Sequence, residues 1–157
     1  MHNIFSLTKG GKLPKQAHRY DAGWDLFVPT WLTENEHKQL EHSDCYLNAE
    51  HLILMPNVTA TIPLHVRIDF SMFENQSELM ALVLPRSSVS ALGVICHTGV
   101  IDAGYTGFLH VSLSNPSSTK PVSLPLANAI AQLCFIPAYT AADGHQRGNG
   151  ALGSSNK

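Results

Sequence analysis

The stretch GFLHVSLSN, residues 107–115, reads as a short β-strand, with apolar and β-branched residues bounded by a glycine and by an Asn-Pro break. Similar runs lie on both sides of it: HLILMP (51–56), ATIPLHVRIDF (60–70), LMALVLP (79–85) and AIAQLCFIP (129–137). Each is cut off by Pro, Gly, Asn or Ser. Turn signals on this spacing suit an all-β sandwich or barrel, and nothing alternates strands with amphipathic helices as a βαβ series would. One segment departs from the pattern. In LTENEHKQLEHS (32–43), Thr33 followed three residues later by Glu36 is a capping box ahead of a polar helix-forming run, which predicts a short surface helix inserted between two strands.

A chain of 157 residues has the size of one domain able to bury a real core. Its 44% hydrophobic and 14% charged residues describe a globular protein, and no apolar run approaches the roughly 20 residues that span a bilayer. The N-terminus lacks the apolar core of a secretory signal, so a cytoplasmic setting is expected. Cys45, Cys96 and Cys134 are odd in number and widely spaced, which argues against a disulfide framework or a zinc site. Net charge is −2 with both signs mixed along the chain, so no nucleic-acid surface and no membrane partner are expected. Residues 1–137 are read as one β domain carrying the 32–43 insertion. Residues 138–157, poor in apolar periodicity, are read as a flexible C-terminal arm.

Within the arm, GNGALG (148–153) fits the dinucleotide pattern G-x-G-x-x-G, but only four residues follow it in this sequence. The helix and acidic residue that a Rossmann unit needs have no room there. A P-loop fails as well, because Ser154 stands where its lysine belongs. Four other segments combine unusual residues. In DAGWDLFVP, Asp25 precedes an apolar strand, as a turn carboxylate or as a functional one. Arg86, Ser87 and Ser88 follow LMALVLP, and a guanidinium fork beside two hydroxyls suits phosphate oxygens, although a plain β-turn explains them equally. Asp102, in HTGVIDAGYTG, ends an apolar strand beside a glycine-permitted bend; half-buried there, it is fit to act as general base on a water, with Tyr105 as a flat wall. Gln132 sits inside an apolar strand, where it serves the backbone or a ligand.

Together and in this order, AGWDL, PRSS, GVIDAGYTG with the downstream Asn115, IAQL and RGNGALGSS resemble the five motifs of the trimeric dUTPases. The resemblance implies a distorted β jelly roll of the β-clip type, a homotrimer with active sites shared between subunits, and hydrolysis of dUTP to dUMP and pyrophosphate. It assigns Asp102 as the base for attack of water on the α-phosphorus. Thr98, Gly99 and Val100 in the motif-three hairpin would hold uracil, and Tyr105 would pack on the deoxyribose. Arg86, Ser87, Ser88 and Gln132 would line the phosphates. Mg²⁺ is the implied cofactor, held by phosphate oxygens and waters, with Asp25 acting through its water shell. Arg147, Leu152, Gly153 and Ser154 would close over a neighbouring subunit's nucleotide, Leu152 standing where the family usually carries an aromatic residue. Two other readings stay in view. One is a binding or regulatory protein on the same fold. The other is a dCTP deaminase, which needs a glutamate where this chain has Ser112.

Overall fold

The computed structural model describes residues 4–139. The all-β expectation holds: short antiparallel strands in four small sheets enclose one core. In chain order the strands are β1 (Phe5–Leu7), β2 (Gly23–Leu26), β3 (Cys45–Leu47), β4 (His51–Leu54), β5 (Val58–Pro63), β6 (Val66–Ile68), β7 (Leu79–Leu84), β8 (Ile95–Cys96), β9 (Gly99–Asp102), β10 (His110–Asn115), β11 (Val122–Pro125) and β12 (Ala131–Pro137). Sheet orders are β1-β6, β5-β10-β8, β11-β4-β3 and β2-β12-β7-β9. None of the helices among the described residues is long and apolar enough to cross a membrane.

The strand read in GFLHVSLSN shows how residues choose sides. Val111 and Leu113 on β10 are fully buried, and Leu109 just before it is buried too. Ser112 and Ser114 face the other way and bond the hydroxyls of Thr61 and Thr59 across the strand pair, at 2.8 and 2.6 Å. That is the period-two alternation of a strand with one face on the core. The ladder from Val58↔Asn115 to Pro63↔His110 fixes the register.

ATIPLHVRIDF is not one strand. It breaks at Leu64–His65, so that β5 pairs with β10 while β6 turns away to pair with β1. Hydrophobic periodicity runs unbroken through the corner, since Ile62, Leu64, Val66 and Ile68 are all buried. Only the backbone records the turn: His65 has φ +56°, the left-handed region that a non-glycine residue enters at a cost of about 1 kcal/mol. Side-chain bonds hold it there. The His65 ring meets the Lys9 carbonyl through Nδ1 at 2.7 Å and a Glu36 carboxylate oxygen through Nε2 at 3.0 Å.

Glu36 belongs to the inserted helix α1 (Glu34–His42), which forms as the sequence predicts. Thr33 is its N-cap: the Thr33 hydroxyl accepts from the Glu36 amide at 3.2 Å, and the Thr33 amide donates to Glu36 Oε2 at 2.7 Å. Only Leu40 of the helix is buried, so α1 is held mainly by its cap, by Leu40 and by the Glu36–His65 contact. Burial works against an ionised Glu36. The Thr33 amide, the His65 ring and the Thr33 hydroxyl outweigh it and lower the Glu36 pKa. A carboxyl whose folded value lies below its unfolded value stabilises the fold above the ordinary glutamate range near pH 4.3, and loses that contribution as pH falls through the lowered folded value. Glu36→Gln is therefore expected to lose on the order of 1 kcal/mol at pH 7. Denaturant titrations of the variant and the parent chain are expected to converge as pH falls through the lowered folded value; a deficit unchanged from pH 7 throughout the acid range would contradict this account.

Candidate active site

Strand pairing puts the motif residues in rows across the sheet β2-β12-β7-β9. Directly opposed residues of an antiparallel pair share a face. Asp25 on β2 faces Gln132 on β12, which faces Leu84 on β7. One face of this sheet is core, with Leu26, Ala81, Val83, Ala131 and Leu133 buried. Asp25 and Gln132 lie on the other, partly open face. Just past the end of β7, Pro85 and Arg86 lead into the one-turn helix α2 (Ser87–Ser90).

These groups bond to one another. Arg86 Nη1 lies 2.7 Å from Asp25 Oδ2, with the two side chains only 29% and 14% exposed. Gln132 Nε2 donates to the Pro85 carbonyl at 2.9 Å. The carboxylate and the amide therefore hold the turn that presents Arg86, Ser87 and Ser88 from two directions. Asp25 is thus a strand residue in an ion pair and not a solvated turn carboxylate. A partly buried pair of this kind is costly to break from one side, because the remaining charge loses its partner.

One contributor escapes a reading of the sequence. Lys15 forms a bridge with Asp25 on the outer side of β2, and the Asp25 amide donates to the Lys15 carbonyl at 2.8 Å. Lys15 therefore extends the row to Lys15, Asp25, Gln132 and Leu84, with its ammonium 5.5 Å from the Phe27 ring centroid. No local signal in LPKQ marks this lysine, since its place comes from pairing with a strand ten residues away.

Of the other motif residues, Val100 and Asp102 sit elsewhere on the same sheet face. Asp102 closes β9 opposite Met80, four residues before Leu84 on β7. Strand rise and spacing put Asp102 about 16 Å from Gln132 across the face. A half-buried Asp102 was expected, but the carboxylate is exposed, because it ends the edge strand of the sheet. Thr98 turns the chain between β8 and β9, Gly99 and Val100 open β9, and the Val100 side chain projects outward. Tyr105 is fixed. Its hydroxyl donates to the Phe108 carbonyl at 2.7 Å, burial pushes the phenol pKa up, and the ring lies over Gly107, where a Cβ would collide with it. Arg147, Leu152, Gly153 and Ser154 lie outside the described residues, as does nearly all of the C-terminal arm.

Among the described residues no three His, Cys, Asp or Glu side chains converge on a point that could hold a metal. The cysteines are free, and burial pushes the Cys45 thiol up to about 12, which makes it a packing residue. Ser112, the position at which a deaminase would need its glutamate, spends its hydroxyl on Thr61.

The dUTPase family model matches residues 44–156. A deoxyuridine 5'-triphosphate nucleotidohydrolase of Leifsonia xyli subsp. xyli is 30% identical over 155 residues, covering 92% of this chain and 85% of its own. One from Mycobacterium avium is 32% identical over 135 residues, covering 83% of this chain and 70% of its own. Among solved structures, the dUTPase of phage phi11 of S. aureus superposes with a TM-score of 0.63 at 21% identity, covering 92% of this chain and 97% of the other. A mutant of that phage enzyme coordinates a structural Mg(II) ion. A Staphylococcus bacteriophage 80alpha dUTPase mutant with dUpNHpp aligns with a TM-score of 0.63 over 98% of each chain, at 22% identity. The architecture is thus the β-clip of the nucleotide-hydrolysing enzymes, with an Arg–Asp–Gln cluster on one sheet face. Within that class, the chain belongs to the dUTPase family.

Asn115 has a different part from the other motif-three residues. It is 1% exposed, and its amide nitrogen shares two protons among the carbonyls of Leu54, Met55 and Lys120 at 3.1, 3.1 and 2.8 Å, while its oxygen accepts from the Ser117 amide at 3.1 Å. It ties β10 to the end of β4 and shapes the 115–120 turn. Asn115→Ala would leave several buried backbone groups unpaired, so a loss of about 2–4 kcal/mol is expected in chemical denaturation. A loss below about 0.5 kcal/mol, the range of ordinary surface substitutions, would refute this structural role.

Proposed function

We propose that this dUTPase hydrolyses dUTP to dUMP and pyrophosphate in active sites completed between the subunits of a homotrimer. The observation that carries this reading is the division of one sheet face into two parts. Arg86, paired to Asp25 and flanked by Gln132, lies at one end of the face. Asp102 lies at the other, and the turn that follows it brings the Tyr105 amide onto the Asp102 carbonyl at 2.9 Å. A water activated by Asp102 of one subunit then meets the α-phosphorus of a nucleotide whose phosphates rest on Arg86, Ser87, Ser88 and Gln132 of a neighbour. The fit between subunits also buries the Asp102 carboxylate that is exposed in the single chain, where it gains strength as a base.

In this arrangement Asp102 takes the proton of the attacking water as the new oxygen–phosphorus bond forms, and the bond from the α-phosphorus to the bridging oxygen breaks in line. Pyrophosphate leaves. Backbone groups of Thr98, Gly99 and Val100 contact the uracil. Tyr105, its hydroxyl committed to Phe108, offers a rigid ring to the deoxyribose and leaves no space for a ribose 2′-OH. The donor chemistry suits Mg²⁺: Asp25 is an oxygen donor, and with one oxygen on Arg86 it would turn the other toward the ion's water shell, the ion itself resting on phosphate oxygens. When bound, Mg²⁺ neutralises charge on the phosphates. Arg147, Leu152, Gly153 and Ser154 would close over the γ-phosphate and exclude water.

Pyrophosphate release from dUTP with Mg²⁺, compared with dCTP, dTTP and UTP, tests the reading. Asp102→Asn is expected to lower turnover by about 100- to 10,000-fold, the usual contribution of a general base, with little change in thermal midpoint. Parent-level turnover in the variant would remove Asp102 from the chemistry, and ammonia from dCTP would identify a deaminase. Tyr105→Ala is expected to raise the relative kcat/KM for UTP by at least tenfold. Unchanged discrimination between dUTP and UTP would reject the sugar-facing role of the ring.

A further inference from the structure

Gly23 lies on the same strand face as Asp25, two residues before it, and diagonally across the β2–β12 pair from Gln132. A methyl group at this position would overlap the side-chain oxygen of Gln132 and come within 3.0 Å of its Cδ and 3.3 Å of its Cβ. The Gln132 side chain therefore occupies the space that a side chain at position 23 would fill. From there it reaches past its own strand to the Pro85 carbonyl, 2.9 Å from Nε2. Glycine inside a strand otherwise weakens it, and it marks places where another group comes close.

The geometry points to Gly23 as a positioning residue for the phosphate-binding half of the site, acting through Gln132 on the Pro85–Ser88 turn. The missing Cβ allows the amide to lie flat, the amide holds Pro85, and Pro85 sets where Arg86, Ser87 and Ser88 begin. Asp25 holds the same turn from the neighbouring position through Arg86, at 2.7 Å. With Ala at position 23, the flexible end of Gln132 swings aside at small cost to the fold, the Pro85 bond is lost, and the turn is held by Asp25 alone. The role is thus one of alignment and not of stability. It rests on reading Gln132 as part of the phosphate site.

A double-mutant cycle on the full-length protein tests it, with Gly23→Ala, Gln132→Ala and the pair assayed for dUTP turnover and thermal midpoint. Gly23→Ala is expected to lower kcat/KM about 10- to 100-fold, the scale of an approximately 1 Å misplacement of a site group, with a midpoint at or above that of the parent. In the Gln132→Ala background the same substitution is expected to cost less than about twofold, because the amide it displaces is absent. An equal loss in both backgrounds overturns the inference while leaving the phosphate-site reading intact. Parent-level turnover in Gln132→Ala overturns that reading, and this inference with it. If Gly23→Ala fails to fold alone, the double variant is expected to fold, since the overlap is gone; failure of both overturns the inference.

Discussion

Everything at the site depends on β12 being paired on both of its edges. Between β2 and β7, its backbone hydrogen bonds leave no freedom of register: Gln132 must stand opposite Asp25 on one side and Leu84 on the other. A slip of one residue would send Gln132 into the core and Leu133 onto the open face. Apolar burial forbids that slip, because Ala131 and Leu133 are fully enclosed. Hydrophobic packing thus chooses the register, and the register assembles Lys15, Asp25, Gln132 and the Pro85–Ser88 turn into one constellation.

The Arg86–Asp25 pair shows why such a cluster needs several anchors. Two partly buried charges gain Coulomb energy from each other only if their geometry is held. Arg86 follows a strand end and caps α2 through its carbonyl, while bonds from β2 and β12 reach its side chain and the preceding Pro85 carbonyl. The bond from β2 keeps one nitrogen of the guanidinium on Asp25. The cluster is the phosphate-binding half of the site in the function proposed above. Asp102 lies apart from it, at the end of the edge strand β9.

The inserted helix follows a different logic. It adds one buried leucine to the core, and its attachment is mostly polar: a capping box at its start and a carboxylate reaching His65. His65 is also the residue at which the chain leaves one sheet for another, in a left-handed conformation. Glu36 therefore completes the helix cap and braces the strained corner with two oxygens of a single side chain. This couples the insertion to the barrel without disturbing the pairing of β5 and β10 on which the core relies.

Much of this was legible in the order of residues. Pro, Gly and Asn punctuation marked the strands, Thr33 and Glu36 marked the helix start, and the segments around Asp25, Arg86, Asp102 and Gln132 stood out because polar groups interrupt apolar runs at ordered intervals. Local pattern carries that information, since propensity and capping act over a few residues. The corner at His65 was hidden, because burial continues through it and a single positive φ leaves no trace in hydrophobic periodicity. The place of Lys15 was hidden for a related reason: its backbone bridge to Asp25 comes from pairing across strands, which links residues by hydrogen bonds and not by spacing. Sequence alone determined the all-β class and the motifs that mark the dUTPase family. Only the tertiary structure decided that Asp25 is an ion-paired strand residue, that Asn115 holds turns together, and that Asp102 lies apart from the phosphate cluster, because strand pairing over long sequence separations fixes which groups meet.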